Sequence, residues 1–210
     1  MQRRVQRHGL SLWAGGALAA AVLGVFSAAL WPRSPTEGSA DVTFARDMSA
    51  HHAQAVNMSV TLFDRARDPA VKRLAQDILL TQQAQIGHMG GWLMAWGRPL
   101  SGIEAPMAGM HRAHMGLASP EQERALQSLP IDQAETQYLT LMRRHHQGGV
   151  AMARGALKRV QRPEVQAFAQ RVIVSQASEV RAIEAMLQNR RAGGAPTEEH
   201  HTRLEGLDHE

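Results

Sequence analysis

From Asp41 to Arg67 apolar residues recur at three- and four-residue steps, which predicts a helix with one buried stripe. Asp68 is placed to cap a second helix with Pro69 in its first position. That helix runs to about Trp96, where Gly97 ends it and Pro99 follows. Ser119-Pro120-Glu121-Gln122 opens a short helix. Asp132 and Glu135 have capping-box spacing at the start of a third long helix. Pro163 marks the break before a fourth, which fades near Arg190. The stretch 191–210, rich in Gly, Glu and His, is predicted to be a disordered tail.

The pattern occurs twice. Residues 41–94 align with 135–188 without a gap, at a constant offset of 94. The pairs include Met48 with Met142, His51 with His145, His52 with His146, Met58 with Met152, Pro69 with Pro163, Gln82 with Gln176 and Leu93 with Leu187. Conservative pairs such as Phe44 with Tyr138 and Ile86 with Val180 extend it. One offset held over so many positions marks an internal duplication. Each copy reads as a helical hairpin, and two hairpins bury their stripes on each other. The expected fold is all-α: an up-down four-helix bundle over 41–190, with hairpins 41–96 and 132–190 joined by a linker at 97–131.

Residues 1–40 read as an address in front of this bundle. Arg3, Arg4 and Arg7 precede an uncharged run from Gly9 to Trp31, slightly longer than the roughly 20 residues that cross a bilayer as a helix. The positive flank predicts a cytoplasmic N-terminus and a bundle outside the cytoplasm. The first expectation is an uncleaved membrane helix, giving a single-pass membrane protein. The second is a cleaved signal peptide, cut near Ser27-Ala28-Ala29 or Gly38-Ser39-Ala40, giving a periplasmic or secreted domain. Pro32 to Ala40 reads as a flexible spacer.

Composition narrows the chemistry. The chain has no Cys, which excludes thiolate zinc sites, iron–sulfur clusters and Cys nucleophiles. Any metal site must use His, Met, Asp or Glu. Aromatics are only 4% of residues, so the core is built from Leu, Ala, Val, Ile and Met, which suits helices. The net charge is +4, but Arg is dispersed without interleaved aromatics, so the basic balance reads as solvated surface and not as a nucleic-acid face.

The candidate chemistry lies on the buried stripes. With Met48 at zero, Phe44, His51, Ala55, Met58 and Leu62 fall about 20–80° to one side and His52 about 40° to the other. Both histidines therefore share the stripe with Met48 and Met58, and the second copy repeats this with Met142, His145, His146 and Met152. A lone His on an apolar stripe is ordinarily a hydrogen-bonded core residue. Four in duplicate, each pair one turn from a Met and without acidic neighbours, point instead to a metal that satisfies the imidazoles. Thioether with imidazole favours Cu(I) over Cu(II), with Ag(I) close behind. Gln82, Ile86, Met89 and Leu93 share one face of the second helix, where Met89 is placed to complete a site with Met48 and His52 or simply to fill the core. Ile183 stands at the equivalent of Met89, so the two sites need not match. The linker adds Met107, Met110, His111, His114 and Met115; on a helix the first four would share one side, and as a loop the cluster would wrap an ion.

The residues Asp41…Phe44…Met48-x-x-His51-His52…Met58, with Gln82…Ile86…Met89, and Glu135…Tyr138…Met142-x-x-His145-His146-x-Gly148…Met152, with Gln176…Glu179, resemble the two halves of the family named domain of unknown function 305. The resemblance covers about residues 41–188. It implies a ferritin-like bundle, usually exported, whose members include copper-binding proteins linked to copper tolerance. The chain departs from the family pattern at Gln85, where Glu is common, at Ile183, where Met is common, at Gly149 in place of Ala, and at Leu117 in place of a second linker Met. The His motif is intact, but the ligand number of the second site is not fixed by the resemblance.

The expected function is an extracytoplasmic copper buffer or chaperone, with the metal ion, the membrane and other copper-handling proteins as partners. The competing expectations are a helical-bundle oxidase and a structural or sensory bundle without metal. Carboxylate di-iron sites use Glu-x-x-His motifs, and here that spacing occurs only at Glu198 and His201 in the tail. No catalytic motif stands out, so the chain is not expected to be an enzyme.

Overall fold

The computed structural model describes residues 33–108 and 114–193. Among them are five helices and no strands: α1 (Ala40–Arg65), α2 (Pro69–Ala95), α3 (Pro120–Ser128), α4 (Ile131–Leu157) and α5 (Pro163–Arg191). All belong to one compact unit that begins at Thr36. The run from Gly9 to Trp31 and the tail from residue 194 lie outside the described residues. Among the described residues, no helix is long and apolar enough to cross a membrane.

Local signals set the boundaries. The Asp68 carboxylate accepts the Ala70 N–H at the start of α2, behind Pro69 in the first turn. At the other end Gly97 has φ 66°. The Arg98 N–H reaches the Leu93 carbonyl and the Gly97 N–H that of Met94, a Schellman ending. Ser119 and Gln122 form a reciprocal capping box on α3.

α1 packs on α2 and α4 on α5, and the two hairpins meet mainly through α1 and α4, with α3 laid against both. Their relation is fixed by an exchange of carboxylates. Asp41, in the first turn of α1, accepts the backbone N–H groups of Gln161 and Arg162 in the α4–α5 turn. Glu135, its equivalent in α4, accepts those of Arg67 and Asp68 in the α1–α2 turn. Each helix start thus closes the other hairpin's turn, and α1 and α4 run antiparallel. This corrects the capping box expected from Asp132 and Glu135: α4 begins at Ile131 with no side-chain cap. Glu135 is drawn across the bundle, where Arg190 also binds its second oxygen at 2.6 Å.

The apolar core is in two clusters. One joins Met48, Met89, Leu93, Val165 and Phe168 with the end of α4. The other joins Met58, Leu62, Val71, Tyr138, Met142, Ile183 and Leu187. The offset of the repeat exchanges one for the other: Met48 for Met142, Met89 for Ile183, Leu93 for Leu187. Both Met-x-x-His-His motifs sit halfway along their helices, so the four histidines form a polar layer between the two clusters.

Candidate metal centre

Met48, His51, His52, Met89, Met142, His145 and His146 have no solvent-accessible surface. His51 and His145, equivalent in the repeat, face each other across the two hairpins with ring centroids 3.8 Å apart. Their neighbours lie about one ring further out: His52 is 6.3 Å from His51 and His146 is 6.1 Å from His145.

The hydrogen bonds of these rings determine which atoms remain for a ligand. His145 Nε2 donates to the backbone carbonyl of His51 at 3.0 Å. His51 Nε2 donates to the Met115 carbonyl at 2.9 Å, and His146 Nε2 lies 2.6 Å from Glu179 Oε2. Carbonyls and carboxylates only accept, so each Nε2 carries the hydrogen and a neutral ring keeps its lone pair on Nδ1. Those three Nδ1 atoms are buried without a hydrogen-bond partner, as are both nitrogens of His52. The Gln85 side chain acts on His52 in the direction opposite to burial but forms no hydrogen bond of normal geometry with it.

The rings of His51, His52 and His145 are held neutral. Burial drives His51 down to about 4, reinforced by the neighbouring His146. Burial and then His51 bring His52 down to about 3. His145 is pushed well below its usual value by burial and by the other three histidines. Neutral imidazoles with free lone pairs are the form that binds metals. A buried lone pair without a partner is costly, and an ion bound there would remove that cost.

The Met115 backbone and residues outside the predicted set complete this layer. The Met115 carbonyl reaches His51 because Gly116 and Gly148 let the linker lie directly on α4. A Cβ on Gly148 would come within 1.9 Å of that carbonyl oxygen, and one on Gly116 within 2.0 Å of the Arg144 carbonyl. Gln54 pins the same segment, accepting the Ala118 N–H at 2.9 Å and donating to the Ala118 carbonyl at 3.0 Å. Gln82 and Gln176 are buried with both amide atoms unpartnered. The Gln176 oxygen shares the space over Gly149 with His51, since a Cβ there would lie 2.2 Å from Gln176 Oε1 and 3.2 Å from His51 Cε1. Glycines and glutamines are common loop and surface residues, and nothing in their spacing marks these contacts.

The predicted thioethers divide. Met48 and Met89 share one apolar cluster, with half-buried Met152 packed on its edge. Met58 and Met142 share the other, where Ile183 stands at the position equivalent to Met89. Among the described residues no three His, Asp or Glu side chains form a ready-made metal site. The donor set therefore fits a soft ion that accepts thioether, and fits a hard ion poorly. In the linker, Met107 lies in a turn with φ 62°, not on a helix, and its N–H is held by Asp47 at 2.7 Å. His114 and Met115 line a groove of about 670 Å³ with Asp47, Phe44 and Met152. Met110 and His111 lie outside the described residues.

Comparison with known proteins places this geometry. A family described as Domain of unknown function (DUF305) matches residues 41–187. A DUF305 protein of Streptomyces coelicolor, inferred to be secreted, is 41% identical with a TM-score of 0.70, covering 78% of this chain and 99% of that one. A DUF305 fragment from Deinococcus radiodurans is 38% identical with a TM-score of 0.66, covering 74% and 99%. CopM in its Cu(I)-bound form is 27% identical with a TM-score of 0.58, covering 71% and 96%, and its Cu(II)-bound form is 29% identical with a TM-score of 0.59. An uncharacterized protein of Acanthamoeba polyphaga mimivirus is 38% identical over 53 residues, and the match spans only 35% of that curated relative. The paired His motifs, the helical bundle and the extent of the match agree: this chain belongs to the DUF305 family.

Proposed function

We propose that this chain is an extracytoplasmic metal-binding protein that takes copper, Cu(I) in preference to Cu(II), into its histidine layer, and that it buffers the ion or hands it on. The observation that carries this reading is the set of buried, unpartnered ring nitrogens, Nδ1 in three rings, with the buried Met48 and Met142 one helical turn before each pair. The crystallisation of the related CopM with Cu(I) and with Cu(II) supports the choice of metal. Ag(I) has the same softness and would serve as a redox-inert substitute. The uncharged run from Gly9 to Trp31 would export the bundle and either tether it to the membrane or be cleaved. The role is binding, not catalysis, and its partners are the ion, the membrane and proteins that supply or receive copper.

Anaerobic competition between the full chain and a chromophoric Cu(I) chelator tests this. One or more ions per chain should be withdrawn from the chelator. Met48→Leu with His52→Ala, or Met142→Leu with His146→Ala, should each weaken binding by at least about tenfold, about 1.4 kcal/mol. A chain that takes no Cu(I), or double variants that bind as the parent does, would overturn the reading.

A further inference from the structure

The two halves of the histidine layer differ at one contact. Glu179 and Gln85 occupy equivalent positions in the repeat. Glu179 Oε2 lies 2.6 Å from His146 Nε2, whereas both ring nitrogens of His52 are buried without a partner of normal geometry. The chemistry of the two side chains explains the consequence. A carboxylate only accepts hydrogen bonds, so a hydrogen sits on His146 Nε2, and in the neutral ring the lone pair is on Nδ1, the buried and unpartnered atom. An amide accepts through oxygen and donates through nitrogen, so Gln85 imposes neither tautomer on His52.

We infer that Glu179 is a positioning residue that commits His146 to bind a soft metal ion through Nδ1, and that Gln85 leaves His52 uncommitted, so the His145–His146 half of the layer fills before the His51–His52 half. The inference rests on the proposed function and deepens it. An outer partner that fixes a ligating imidazole's tautomer and orientation changes metal affinity by about 10–100-fold. Binding at His52 must instead select one tautomer and one ring orientation from several. The linker cannot compensate, because the Met115 carbonyl already holds His51.

The test uses the full chain, labelled with nitrogen-15, and reads two quantities. Two-bond hydrogen–nitrogen correlation spectra of the metal-free protein report each ring's tautomer without any metal. In the parent, His146 should show the Nε2–H pattern and His52 should not be locked in it. Glu179→Gln should release His146, and Gln85→Glu should lock His52. Glu179 and Gln85 are both partly exposed, so neither change should unfold the bundle. Titration with Ag(I) should then give two steps separated by about 10–100-fold in the parent. Glu179→Gln should bring the steps together by weakening the first, and Gln85→Glu by strengthening the second. The double exchange Gln85→Glu with Glu179→Gln should reverse the order of filling, as read from which histidine resonances move first, and a purely structural role would not produce that reversal. His146 locked at Nε2–H in Glu179→Gln, or an unchanged order in the double exchange, would overturn the inference. If no variant takes up Ag(I) or Cu(I), the proposed function and the order of filling both fail, while the apo spectra still decide the tautomer at His146.

Discussion

A buried ring nitrogen without a partner is costly, and in this layer one nitrogen on each of three rings has a partner and the other has none. Burial also keeps His51, His52 and His145 uncharged. His51 and His52 titrate near 4 and 3 in the folded chain but near the ordinary 6.5 when unfolded. Between those limits the unfolded chain binds protons that the folded chain does not, so stability is full above about pH 6.5 and falls as the pH drops toward 4. Urea denaturation of the metal-free protein should show its midpoint falling over this window. His51→Gln with His52→Gln should flatten that dependence. Met115 and Gly148 act at the same scale. Gly148→Ala drives a methyl into the Met115 carbonyl and should destabilise the fold by about 1–3 kcal/mol. The loss should show in the denaturation midpoint, and metal affinity should fall with it because His51 loses its anchor.

At the scale of elements, helices place the ligands and the exchanged carboxylates place the helices. Glu135 is buried, accepts two backbone N–H groups and pairs with Arg190. Glu135→Ala would leave those groups unmatched and should cost about 2–3 kcal/mol, measured by denaturation. The element boundaries were legible in the sequence because they depend on neighbours: Asp68 before Pro69, Gly97 after Trp96, Ser119 three residues before Gln122. Burial of the His stripe was legible for the same reason, since helical phase is a local property. Glu135 misleads because its capping-box spacing is also local, yet a partner on the other hairpin holds it. The Met115 carbonyl on His51, the Gly116–Gly148 contact and the Glu179–His146 bond were not legible, because each joins segments that only the packed bundle brings together. The repeat did carry one clue, since an acid faces an amide at the equivalent positions Glu179 and Gln85.

For the whole molecule, duplication produces a bundle whose polar layer lies between two related apolar clusters that are not chemically identical. Met89 stands in one where its equivalent in the other is Ile183. A metal that binds only the folded chain must stabilise it, by about 2.7 kcal/mol at a free concentration a hundred times the Kd. Added Ag(I) should therefore raise the melting temperature of the parent chain. It should raise it less when His145 and His146 are both replaced by Ala. The most direct test of the central claim is anomalous diffraction at the copper edge from crystals of the Cu(I)-loaded chain. The account predicts a copper peak inside the bundle, within bonding distance of Nδ1 atoms of the histidine layer and of a sulfur from Met48 or Met142. Copper found only in the linker or on the surface, with the histidine layer empty, would contradict it.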